Sequence, residues 1–304
     1  MAIAKRISLF LITNILMVAT ISIVLSVLGV GRWIQGNEIQ FGTLAVFCLV
    51  WGFGASLFSL LISKPMAKWS MGVKVIDAQE RNADLQWVRE TTLRLARSAG
   101  LPKPPEVGYY ESPDMNAFAT GPSKGNSLVA VSTGLLHRMN RAEAEGVLAH
   151  EVAHIANGDM VTMALLQGVV NAFVMFLARI AAFAVSMAMA NRSDDESESA
   201  GGANPLVNMV LTFFFEIVLG FFGMMVVAAF SRAREYRADR GGAQLGGREN
   251  MIRALQALQR QHLPATAQAD SLAAFKISGG GGIARFFSTH PPLEERIAAL
   301  QQVR

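Results

Sequence analysis

The five residues His150-Glu151-Val152-Ala153-His154 place two imidazoles one helical turn apart on one face, where both can reach a single metal ion. Glu151 follows the first imidazole and can stand beside a metal-bound water without being a ligand itself. Zinc lowers the pKa of such a water, the glutamate takes its proton, and a peptide carbonyl is attacked. Ten residues upstream, Asn140 followed by Glu143 forms a capping-box variant that opens the helix. Val147, Val152, Ala153 and Ile155 supply the apolar setting such a helix needs.

A catalytic zinc needs a third protein ligand and an open fourth position. His137 is near in sequence, but it precedes the capped start of the helix and points away. Glu235 and Asp239, four apart, share a face of a helix predicted over Ser231–Gly241. His154 lies about 9 Å before the apolar run that starts at Met160, and Glu235 about 7.5 Å after the run that ends at Phe230, at 1.5 Å per residue. If those two runs form an antiparallel pair that continues past the apolar stretch, Glu235 arrives beside His150 and His154. Asp239, one turn on, can then accept the outer N–H of a ligand histidine and set its tautomer.

The runs themselves point to a membrane. Of 304 residues, 52% are apolar and only 16% charged, against about 25% charged in soluble domains. Ile7–Val30 and Phe41–Ser63 hold no charge, while Met160–Ala190 and Leu206–Phe230 carry only Arg179 and Glu216. Each exceeds the roughly 20 residues that cross a bilayer, so four transmembrane helices in two hairpins are expected. The first run is too long for a signal-peptide core and reads as an uncleaved anchor. Arg179 and Glu216 reach similar depth in an antiparallel hairpin, and an unpaired charge there costs about 2.5–3.5 kcal/mol, so an intramembrane ion pair is predicted.

Lys5, Arg6, Lys64, Lys68, Lys74, Arg232, Arg234, Arg237 and Arg240 fall on one side of these runs, against Arg32 and Arg192 on the other. That asymmetry places both termini and the polar segments in the cytoplasm. The expected organisation is a transmembrane hairpin over 1–63 and the first half of a cytoplasmic domain over 64–159. A second hairpin over 160–230 and the second half of the domain over 231–304 follow.

Leu85, Val88, Leu95, Ala96 and Ala99 recur at helical spacing before the stop signal of Gly100 and Pro102. Strands are expected at Val107–Tyr110, Ala117–Thr120 and Leu128–Val131, and further helices at Glu249–Gln261 and after Pro291-Pro292. The fold class is therefore α+β and mostly helical. A single Cys48 excludes a disulfide framework and a thiolate metal site. Dispersed Lys and Arg, with a net charge of +4, leave no stripe for nucleic acid, and Gly279–Gly282 lacks the Lys and Ser/Thr of a nucleotide loop.

Four segments, in order, resemble the HtpX family of membrane zinc metalloproteases. They are His150–His154 with Ile155-Ala156-Asn157-Gly158-Asp159, Ser231-Arg232-Ala233-Arg234-Glu235-Tyr236-Arg237-Ala238-Asp239, Asn116-Ala117-Phe118-Ala119, and His290-Pro291-Pro292-Leu293-Glu294-Glu295-Arg296-Ile297. The likeness spans essentially the whole chain. It implies a zincin-like domain in which His150, His154 and Glu235 hold one Zn2+ and Glu151 is the general base. It also implies a bacterial inner-membrane enzyme acting on damaged or unfolded membrane proteins alongside other quality-control proteases. The related prenyl-protein (CAAX) proteases share the metal motifs but have more membrane spans.

A zincin binds its substrate as an extended strand along a sheet edge, and Asn116, Ala117, Phe118 and Ala119 are the candidate edge. His290 and Arg296 are candidates for holding the developing oxyanion, with helix capping and pairing to Glu294 or Glu295 as their structural alternatives. The Gly-rich Ser278–Gly282 and acidic Asp194–Glu198 segments are assigned no role. Two other functions fit the same residues: a membrane scaffold or holdase with structural zinc, and a prenyl-protein processing protease.

Overall fold

A computed structural model of the chain describes residues 34–35, 38–190, 205–262 and 287–302. The first apolar run, Arg32, Arg192 and the Asp194–Glu198 and Ser278–Gly282 segments lie outside the described residues. The chain divides into two compact units. One comprises Met1–Gly52 and Val169–Gly223, the other Phe53–Gly168 and Met224–Arg304.

The first unit holds a short antiparallel pair, β1 (Ile34–Gln35) and β2 (Glu38–Ile39), and apolar segments of three long helices. These helices are α1 (Phe41–Met71), α5 (Asp159–Ala190) and α6 (Pro205–Gly246), and each is long and apolar enough to cross a membrane. Leu44, Phe47 and Cys48 of α1 pack on Met175 of α5. Beside them Arg179 Nη1 donates to Glu216 Oε1 at 2.7 Å and to the Met175 carbonyl at 3.0 Å, and the guanidinium lies 5.7 Å from the Phe47 ring centroid.

The second unit carries the polar chemistry. Its sheet runs in the order β3 (Lys74–Val75), β4 (Glu106–Tyr110), β6 (Asn126–Ser132), β5 (Ala117–Ser123). β4 and β6 are parallel, whereas β5 is antiparallel to β6 and forms an edge. Alternation sends Val107, Val129 and Val131 to the face covered by α2 (Ala83–Ser98) and α4 (Arg141–Asn157). Tyr110, Leu128 and Ala130 point the other way, with Val73 and Phe118. Three short or longer elements have boundaries that periodicity did not predict. β3 is two residues long and α3 (Thr133–Arg138) six, too short for a pattern to register. α1 runs through Pro65 to Met71, past the end of its apolar run at Ser63. Lys64 Nζ, 2.8 Å from both Glu106 and Asn126, and Lys68, paired with Glu106, fasten this extension to the sheet.

The expected helix at Ser231 is not a separate element but the continuation of α6, which remains helical to Gly246. Its face carrying Glu235 and Asp239 continues through Gly242 and Gly246, at spacings of four, three and four. A Cβ on Gly242 would stand 3.1 Å from the His150 amide nitrogen, and one on Gly246 would stand 2.7 Å from the Ala149 Cβ. Missing side chains thus let α6 lie directly on the backbone of α4. On its other side α4 receives α7 (Arg248–His262), where a Cβ on Gly146 would overlap the Asn250 carbonyl. α8 (Leu293–Gln302) closes this end through Leu300, packed with Met251, Ile252 and Leu255.

Gly146→Ala should lower stability by about 1–3 kcal/mol, as overpacking against backbone does, in a denaturation midpoint measured at constant slope. Reversing Arg179 or Glu216 alone should cost on the order of 2–3 kcal/mol, seen as a lower melting temperature in detergent. The double reversal should recover at least half of that loss.

Candidate metal centre

The helix that presents the motif begins and ends on local signals. Asn140 Oδ1 accepts from the Glu143 amide and Glu143 Oε2 accepts from the Asn140 amide, both at 3.0 Å. Gly158 ends α4 in the left-handed region (φ 72°), which glycine enters without steric cost. Val152, Leu148 and Ile155 are held in the core, which turns His150 and His154 towards α6.

His150 Nε2 and His154 Nε2 stand 3.1 Å apart, both rings buried. The Glu235 carboxylate, 1% exposed, completes a triangle: Oε2 lies 3.5 Å from His150 Nε2 and Oε1 lies 3.4 Å from His154 Nε2. Four-coordinate zinc with bonds of about 2.0–2.1 Å separates its ligand atoms by about 3.3 Å, and one ligand atom from each of His150, His154 and Glu235 lies within 4.8 Å of the others. Glu235 Oε1 is buried with no hydrogen-bond partner, a costly arrangement that a cation at this point would relieve. The residues therefore fit a metal ion, and among the described residues they are the one such group.

Charge around the triangle is strongly organised. Burial would raise the Glu235 pKa, but the closeness of the His150 and His154 rings and the contact with His290 Nδ1 drive it far below the carboxylate range. Burial would lower the His154 pKa, yet Asp159, Glu235 and the Glu151 charge lift it to about 9. His150 is raised in the same way, against burial, by Asp239 and Glu235. Metal binding needs the ligating nitrogen of each imidazole unprotonated, so metal and proton compete for this site.

The remaining predicted residues fall into distinct places. Glu151 is half-buried and has no hydrogen bond or ion pair among the described residues, while its charge bears on His150, His154 and Arg296. Asp239 Oδ1 lies 3.0 Å from His150 Nδ1, but off the axis needed for a hydrogen bond. His290 is largely exposed, with Nδ1 2.9 Å from Glu235 Oε2. Arg296 does not pair with Glu294 or Glu295. Its Nε and Nη2 donate to Asp239 at 2.8 and 2.6 Å, and its Nη1 is 3.5 Å from Glu235. Ala117, Phe118 and Ala119 lie in the edge strand β5, and Asn116 precedes it, its carbonyl accepting from the Ser132 amide at 2.9 Å. His137 sits on α3, outside the cluster.

Two neighbours of the triangle escaped the spacing argument. Asp159 Oδ2 is 2.7 Å from His154 Nδ1, and Arg234 Nη2 is 3.5 Å from Glu235 Oε1. The signal for Asp159 was present as the Gly158-Asp159 pair, which folds the chain back on the second histidine. Arg234 looked like any juxtamembrane cation.

Two histidines and a glutamate on facing helices, behind a small mixed sheet and with three membrane-length helices among the described residues, define a membrane-associated metallopeptidase. Residues 82–304 match peptidase family M48. The sequence is 51% identical to the Protease HtpX homolog of Paracidovorax citrulli, covering 99% of each chain. It is 50% identical to the Protease HtpX homolog of Thiobacillus denitrificans, over 99% of this chain and 100% of that one. The Protease HtpX of Thioalkalivibrio sulfidiphilus is also 50% identical, with 99% of each covered. The crystal structure of S. mikatae Ste24p shares the fold, with a TM-score of 0.59 at 19% identity, over 84% of this chain and 58% of that chain. The chain belongs to peptidase family M48 and, within it, to the HtpX proteases.

Arg296→Met should destabilise the protein by about 3–5 kcal/mol, because it strands the buried Asp239 carboxylate. Chemical denaturation of the metal-free protein measures this directly, and Arg296→Lys should recover only part of it for want of a bidentate grip.

Proposed function

We propose that the chain is a zinc-dependent endopeptidase of the bacterial inner membrane that hydrolyses damaged or misfolded membrane proteins in their cytoplasmic segments. The observation that carries the reading is a Glu151 carboxylate that has no partner among the described residues and stands beside a three-ligand triangle. A structural zinc is closed by four protein ligands, whereas three converge among the described residues, which favours catalysis over a scaffold or holdase.

His150, His154 and Glu235 would hold the zinc, which when bound supplies Lewis acidity and makes water a nucleophile at neutral pH. Glu151 takes the proton of the attacking water on its free carboxylate and returns it to the leaving amine. His290 donates from Nδ1 to Glu235 Oε2, and when its ring carries a second proton Nε2 can donate to the substrate's carbonyl oxygen as charge develops there. Arg296 has two nitrogens committed to Asp239 and serves to hold that carboxylate.

The free side of β5 can take an extended chain by main-chain hydrogen bonds, which suits an enzyme with little demand on sequence. The excess of Lys and Arg flanking one end of the apolar runs supports a cytoplasmic site. The ligands lie outside those runs, where water is at hand. Partners follow from this reading: the bilayer, unfolded membrane-protein substrates, and other proteases that share them, but no nucleic acid or nucleotide.

Purified in detergent without metal and then given zinc, the wild type should cleave an unfolded membrane protein. Glu151→Gln should bind zinc equally and lose about 10²–10⁴-fold in kcat/KM. A Glu151→Gln protein that still cleaves would remove the general base from this account. His290→Ala should lose on the order of 10²-fold in kcat with KM nearly unchanged, the signature of a contact made in the transition state. Mass spectrometry of the products should place the cuts in loops and juxtamembrane segments.

A further inference from the structure

Both candidate ligand histidines have a carboxylate at Nδ1, and the two carboxylates are not equivalent. Asp239 stands 3.0 Å from His150 Nδ1 without alignment, and its two oxygens are gripped by the buried Arg296 at 2.8 and 2.6 Å. Its charge is spent on an arginine. Asp159 is 1% exposed, and its Oδ2 lies in line with His154 Nδ1 at 2.7 Å. Among the described residues its other oxygen meets only the half-exposed Arg237, at 3.4 Å. Asp159 is also the first residue of α5, where the helix terminus favours a negative side chain, and Gly158 at φ 72° turns it back onto α4.

We infer that Asp159 is the positioning residue of the metal centre: its carboxylate, in line with Nδ1, fixes the orientation of the His154 ring so that Nε2 faces the place of the metal. Asp239, by contrast, holds α6 and α8 together through Arg296 and contributes less to metal affinity. The inference rests on His154 being a metal ligand. A carboxylate that accepts from the outer N–H of a ligand histidine strengthens the metal bond, and its loss usually weakens binding 10–100-fold.

The test uses the full-length protein in detergent, stripped of metal, with Zn2+ titrated against a fluorescent chelator. Asp159→Asn keeps the shape and removes the charge. It should raise the zinc dissociation constant 10–100-fold and shift the visible absorption of the Co2+-loaded protein, with the melting temperature of the metal-free protein within a few degrees of wild type. Asp239→Asn should show the reverse balance, with a large fall in metal-free melting temperature and a smaller change in zinc affinity. Arg237→Gln, which removes the counter-charge on Asp159, should leave zinc affinity unchanged or tighter.

Zinc affinity within threefold of wild type in a folded Asp159→Asn protein overturns the inference. So does a tenfold or greater loss in Arg237→Gln, which would mean that the pair acts through the fold. Should Asp159→Asn fail to fold, Asp159→Ser is titrated in its place against the same thresholds. His154→Ala separates the two levels: if it retains zinc, the ligand assignment fails, whereas if it loses zinc and Asp159→Asn does not, only the role of Asp159 fails.

Discussion

One constraint governs the polar unit: a carboxylate on α6 must come within 3.5 Å of two imidazoles on α4, in a space with almost no solvent. Three buried titratable groups so close cannot be held by hydrophobic packing alone, since each would rather be hydrated. The helices therefore approach through glycine. Gly242 and Gly246 lie on the same stripe as Glu235 and Asp239, and they let the α6 backbone meet that of α4 where any side chain would force the two apart. What looks like loose, flexible sequence after the ligand segment is the device that sets the interhelical distance.

The charges behind the triangle follow from that choice. Each imidazole needs its second nitrogen answered, and each answering carboxylate is itself buried, so each needs a cation. The result is two chains of contacts, His150 to Asp239 to Arg296 and His154 to Asp159 to Arg237, differing in tightness at every link. A buried carboxylate held by a bidentate arginine is a rigid structural part, whereas one leaning on a half-exposed arginine keeps its charge for the ligand. Two residues of the same type thus do different work because their partners differ in burial.

The membrane helices and the polar unit obey opposite solvents with the same rule. Within the apolar runs of α5 and α6, Arg179 and Glu216 pair at 2.7 Å, because hydrocarbon offers no other partner. In the polar unit, charges accumulate, and Glu151 beside the triangle has no hydrogen bond or ion pair among the described residues. An unpaired carboxylate survives where water can reach it, and that is what a hydrolytic base requires.

Much of the site was legible in sequence because its spacing is helical: His150 with His154, and Glu235 with Asp239, are pairs that only one period explains. The apolar runs were equally plain, since 20 or more residues without charge admit few readings. What the spacing could not reach were contacts between elements far apart in the chain. Arg296, read as a partner of its own helix or as an oxyanion donor, is bound to Asp239 across 57 residues. The continuation of α1 through Pro65 depends on Lys64 and Lys68 reaching Glu106, and no local propensity predicts a helix through proline. Asp159 lay in plain view beside a glycine, but only the left-handed turn at Gly158 aims it at His154. Periodicity along one helix is written in the residues of that helix, whereas the pairing of buried charges is settled by which surfaces the packed elements bring face to face.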